Sequence, residues 1–147
     1  MTTSFQIRSL AFQLLFQLDA SPDGDVAALT DAMEHGLDPK DARKAADLAQ
    51  AAFDARALSD AATLELAPGW PAHRQPAIDR AILRLGHYEI LKAVAPGPAV
   101  IDDAVKLAKE FGTEKSPPFI NALLDKIFKA RSPETPPTPK LDDSMTP

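Results

Sequence analysis

Apolar residues recur at three- and four-residue intervals along most of this chain, and nowhere do they alternate as a half-buried strand would. From about Ser4 to Asp19, Phe5, Leu10, Leu14, Leu15 and Leu18 fall on one helical stripe, with Phe12 and Phe16 on its neighbour. SPDGD at residues 21–25 has the composition of a turn, and a short helix follows from Val26 to His35, stopping at Gly36. Asp38-Pro39 restarts the chain, since Asp caps free amides and Pro fits the first helical position. The pattern predicts a long Ala-rich helix from Pro39 to about Leu66, bent near Ser59-Asp60 and stopped by Pro68-Gly69.

A helix predicted from about Ala77 to Val94 carries apolar residues on more than one stripe, so it is expected to be central. Pro96-Gly97-Pro98 breaks it. The next helix runs to Phe111 and ends at Gly112, and Ser116 with Pro117 starts the last one as N-cap and first position. After Arg131 the chain is Pro-rich, with Leu141 and Met145 its sizeable apolar groups, so residues 132–147 are expected to be disordered. The fold class is all-α, with one domain over residues 1–131 and a tail over 132–147.

Composition narrows the chemistry. Without cysteine there is no disulfide, thiolate zinc site or cysteine nucleophile. His35, His73 and His87 are too far apart for ligand spacing, and His87-Tyr88-Glu89 lacks the cysteines a zinc deaminase requires. No metal, cofactor or catalytic group is expected. No apolar run reaches the roughly 18 residues that cross a bilayer, and the N-terminus lacks a signal-peptide pattern, so a cytoplasmic protein is expected. The net charge of −5 argues against a dedicated nucleic-acid binder, but it is unevenly placed. Residues 1–69 hold 5 basic and 11 acidic groups, whereas residues 70–131 hold 10 basic and 7 acidic.

From Trp70 to Lys126 the order of residues resembles the NusB family of transcription antitermination and ribosomal RNA processing factors. The likeness rests on Trp70 and Arg74, on DRAILRL at 79–85, on Tyr88-Glu89, on AVKLAK at 104–109 with Phe111-Gly112, and on Phe119-Ile120-Asn121 with LLDK at 123–126. A weaker match takes in Arg8, Ala11, Gln13, Leu15 and Phe16. The resemblance implies about seven helices in two small bundles and no catalysis. It implies a factor that binds boxA-type single-stranded RNA jointly with the ribosomal protein NusE, within the RNA polymerase antitermination complex.

Carried onto this chain, it points to Arg8, Gln13, Lys115, Ser116 and Phe119 for RNA, and to Phe16 and Asp79 for the protein partner. The bottom-up alternatives are plain. Arg8 also suits the polar face of a helix, Ser116 a cap, Phe119 and Phe16 core rings, and Asp79 a solvated carboxylate. The chain departs from the family where several arginines usually precede the Gln13 block: Ser4, Phe5, Gln6 and Ile7 stand there, and only Arg8 remains. Each lost phosphate contact removes nearly one unit of salt dependence. The alternative function is a protein-docking module with little RNA binding of its own.

Overall fold

The structure, a computed structural model, describes residues 2–93 and 95–131. Seven α-helices and a 3-10 turn make up the described residues, with no strand among them. They are α1 (Ser4–Ala20), α2 (Val26–Ala32), α3 (Pro39–Asp54), α4 (Arg56–Leu66), the turn Ala72–Arg74, α5 (Ala77–Lys92), α6 (Gly97–Phe111) and α7 (Ser116–Arg131). The expectations for Val94 and for the tail lie outside the described residues.

Local chemistry sets the boundaries. Thr3 and Gln6 form a reciprocal capping box at the start of α1: Thr3 Oγ1 accepts from Gln6 N at 3.1 Å, and Gln6 Oε1 accepts from Thr3 N at 2.8 Å. Asp38 accepts from Asp41 N at 2.9 Å and Pro39 opens α3, as its sequence predicts. The long Pro39–Leu66 helix is in fact two, and the break falls at Ala55 rather than at Ser59-Asp60. Arg56 seals that break, donating to the Phe53 carbonyl at 2.9 Å with its guanidinium 3.9 Å from the Phe53 ring centroid. Helix α2 stops at Ala32, because Met33 is already extended, and Gly36 takes its positive φ of 70° in the loop beyond.

The helices divide into α1–α4 and α5–α7, but their interiors merge into one continuous core. α1 packs on both α3 and α5. α5 is central: Ile82, Leu83 and Ile90 are buried, and so are its polar residues Asp79, Arg84, His87 and Glu89. α7 lies so close to α5 that a Cβ on Gly86 would stand 2.7 Å from Leu124 Cδ1. Trp70 packs at the edge of the core where the chain crosses between the bundles, with the Arg74 guanidinium 5.5 Å from its ring.

Candidate nucleic-acid and partner interface

Two ion-pair clusters fix α1 against α5, one near each end. Near the N-terminus, Arg8 Nε donates to Glu89 Oε2 at 2.8 Å and Arg8 Nη1 donates to Asp103 Oδ2 at 2.7 Å. All three residues are buried. Burial opposes the Arg8 charge, but the hydrogen bonds to Glu89 and Asp103 outweigh it and raise its pKa, so the guanidinium stays ionised. Burial also lifts the Glu89 carboxyl above its ordinary value, against the pull of Arg8.

Near the other end, Asp19 accepts from Arg80 Nε at 2.9 Å and Arg84 Nη1 at 3.1 Å. Arg84 continues to Asp60 of α4 at 3.0 and 2.8 Å. Partial burial pushes the Asp19 carboxyl up, yet the hydrogen bonds and charges of Arg80 and Arg84 hold it below its usual range. His87 Nδ1 lies 2.8 Å from Ser59 Oγ, where burial lowers the imidazole pKa and Asp60 only partly offsets it. This pair holds α4 on α5.

The structure therefore sorts the expected site residues. Gln13 is half-buried and Lys115 is exposed. Gln13 Nε2 donates to Ser9 O and Ser9 Oγ at 3.2 and 3.3 Å, which ties the amide to the face of α1. Arg8, by contrast, is spent on the interior. Ser116 and Phe119 are fully buried. Ser116 is the first helical residue rather than the residue before the helix, and its Oγ turns back to accept from Thr113 N at 3.0 Å. Phe119 is a core ring. Ser116 and Phe119 expose no surface, and Arg8 only 7% of its own.

The two residues assigned to the partner also differ. Phe16 is 40% exposed, so the expectation of a core ring fails for it. Asp79 is 0% exposed, so it is not a solvated carboxylate and offers a partner no atom to touch. Neither of its oxygens has a hydrogen-bond partner. The Ser116 hydroxyl approaches and favours the charged form, but short of hydrogen-bond geometry, and burial outweighs it and drives the carboxyl pKa up. Pro117 and Pro118 supply no N–H at the start of α7.

Sequence reasoning missed the neighbours of Gln13. A concavity of about 220 Å³ beside it is lined in part by Gln6, Ser9, Glu34 and Glu110, a surface rich in amide, hydroxyl and carboxylate groups. Lys106 of α6 reaches over Phe5, with Nζ 5.9 Å from the ring centroid, while pairing with Asp102 at 3.2 Å. Helical spacing could have joined Gln6, Ser9 and Gln13, but nothing local to α1 announces a lysine from α6.

The profile of the NusB family matches residues 6–129. The transcription antitermination protein NusB of Roseiflexus sp. (strain RS-1) is 36% identical over 128 residues, covering 83% of this chain and 89% of its own. Among solved structures, T. maritima NusB superposes with a TM-score of 0.79 at 30% identity, covering 91% of this chain and 96% of its own. A crystal structure of the antitermination factors NusB and NusE in complex with double-stranded RNA matches with a TM-score of 0.74. At 23% identity, over 86% of this chain and 96% of the other, that likeness shows a shared fold. The chain belongs to the NusB family.

Proposed function

We propose that this protein is a non-catalytic transcription antitermination factor. It binds boxA-type single-stranded RNA together with the ribosomal protein NusE, as part of the antitermination complex that supports ribosomal RNA synthesis and processing in the cytoplasm. The observation that carries this reading is the family match over residues 6–129, supported by a fold shared with a NusB–NusE–RNA assembly. No helix among the described residues is long and apolar enough to cross a membrane.

Within that reading the residues divide by accessibility. Lys115 supplies a phosphate contact. Gln13, beside the acidic rim formed by Glu34 and Glu110, suits a base edge better than a phosphate, because amides pair with unstacked bases and carboxylates repel the backbone. Arg8, Ser116 and Phe119 position α1 and the start of α7 instead of meeting RNA. Phe16 presents its ring to the protein partner, and Asp79 acts from beneath the surface.

One observation favours the second reading, a docking module with little RNA affinity of its own: the single arginine of α1 is consumed by Glu89 and Asp103. A gel-shift titration with boxA RNA and a scrambled control, with and without the ribosomal protein, separates the two. The first reading expects salt-dependent retention of boxA RNA, strengthened by the partner and weakened by Lys115→Glu. If neither RNA is retained even with the partner at low salt, the RNA assignment is lost and the docking module stands.

A further inference from the structure

Helix α4 is fastened to the molecule by polar groups rather than apolar ones. Its two fully buried residues are hydroxylic, Ser59 and Thr63, whereas its leucines and alanines are half-buried or exposed. Two polar contacts hold it on α5. Ser59 Oγ lies 2.8 Å from His87 Nδ1, and Asp60 accepts from Arg84 Nε and Nη2 at 3.0 and 2.8 Å. The Thr63 hydroxyl stays within the helix, donating to Asp60 O at 3.2 Å. No side chain caps the first turn. Arg84 is shared, since its Nη1 also donates to Asp19 of α1 at 3.1 Å. When α4 lifts away, the guanidinium keeps that carboxylate and Asp60 passes to water, so neither charge is stranded. Little apolar area and no unpaired ion oppose the opening, as in a segment that opens below the global unfolding free energy.

We infer that α4 is an acid-labile latch, released from α5 as a unit when His87 is protonated while the rest of the core stays folded. His87 is buried, and one of its ring nitrogens is committed to Ser59. Charging the ring puts a cation beneath α4, and lifting that helix is the shortest way to hydrate it. The neighbouring charges do not offset this. From α4, Asp60 favours the imidazolium but is itself paired with Arg84 of α5. Glu65 of α4 and Arg131 of α7 line the groove of about 430 Å³ beside the ring, with opposite charges. From α1, Arg8 is occupied by Glu89 and Asp103, and Asp19 by Arg80 and Arg84. The buried residues of α3 are alanines and Phe53. Burial keeps the imidazole pKa below its ordinary value, against Asp60. A ring kept neutral in this way contributes stability that is whole above about pH 6.5 and declines as pH falls toward the lowered folded value. The chain can hinge at both ends of the helix, where it breaks at Ala55 and turns at Pro68-Gly69.

Hydrogen–deuterium exchange of the full chain tests this, with protection corrected for the intrinsic pH dependence of exchange. From about pH 7.5 to about pH 5.5 the amides of residues 60–66 are expected to lose protection by about three- to tenfold, the upper figure being the ceiling one pH unit below an ordinary histidine. The amides of α1 and α5 should keep theirs. His87→Gln, which cannot take up a charge, should abolish the loss in α4. If that variant does not fold, Ser59→Ala decides: it should loosen α4 at neutral pH and leave α1 and α5 protected. A loss shared equally by all helices, an α4 indifferent to pH, an acid loss that survives His87→Gln, or a Ser59→Ala chain as tight in α4 as its parent overturns the inference.

Discussion

The two ends of α1 are held to α5 by the same chemistry at different depths. At Arg8 one guanidinium serves two carboxylates and all three are buried, whereas at Asp19 a half-buried carboxylate serves the half-buried Arg80 and the buried Arg84. Removing a member of the first cluster strands charge in the interior. Water can replace a lost partner at the second. Depth, more than the number of hydrogen bonds, decides which cluster the fold depends on.

The largest effect is therefore expected at Arg8. Arg8→Ala leaves Glu89 and Asp103 facing each other without a cation, and should cost about 3–5 kcal/mol, read as a fall in the urea midpoint. Unchanged stability with lost RNA affinity would instead return Arg8 to the RNA surface. Phe16→Ala should weaken association with the ribosomal protein by about 2 kcal/mol while altering the thermal midpoint little, as calorimetric titration and melting can show.

Asp79→Asn should stabilise the protein at neutral pH by on the order of 1 kcal/mol, since it removes a buried charge that lacks a hydrogen bond. The sign follows from the raised pKa of Asp79. Its carboxyl begins to penalise the fold as pH rises above the ordinary carboxyl value, and the penalty is complete above the raised folded value, so the benefit of Asn should shrink as pH falls through that window. Asp19 behaves oppositely. Its lowered pKa gives stability that is complete above the ordinary carboxyl value and lost as pH falls through the folded one. Asp19→Asn should cost only about 0.5–1 kcal/mol at neutral pH, because solvent screens the site. Equal losses at Arg8 and Asp19 in the same denaturation series would remove the distinction by depth. The smallest effect expected is that of Lys115→Glu on RNA: a drop in the salt slope of about one unit or slightly more, with the fold intact.

Much of this architecture was legible locally. The Asp38-Pro39 start, the Gly112 stop and the apolar stripes of α1, α5 and α7 follow from spacing and cap chemistry alone. The break at Ala55 was not, since AFDARALS has no Pro or Gly and the kink is sealed by Arg56 on Phe53. Nor were the site residues fully legible. Arg8 and Lys115 read alike as basic groups on helical segments, and only the distant Glu89 and Asp103 turn one inward. Asp79 is concealed by α7, which begins 37 residues later. Helical spacing reports which residues share a face, whereas a side chain's freedom depends on what another segment places over that face.

The distance along the chain between Arg8 and its carboxylates carries a further cost during synthesis. Glu89 and Asp103 follow Arg8 by 81 and 95 positions. At about 5–20 residues per second, α1 leaves the ribosome on the order of 5–20 s before its counter-ions exist. Through that interval its leucines and phenylalanines lack the face of α5 that will cover them. The nascent first helix therefore spends that interval with part of its apolar face uncovered and its one arginine unpaired, until α5 and α6 are made.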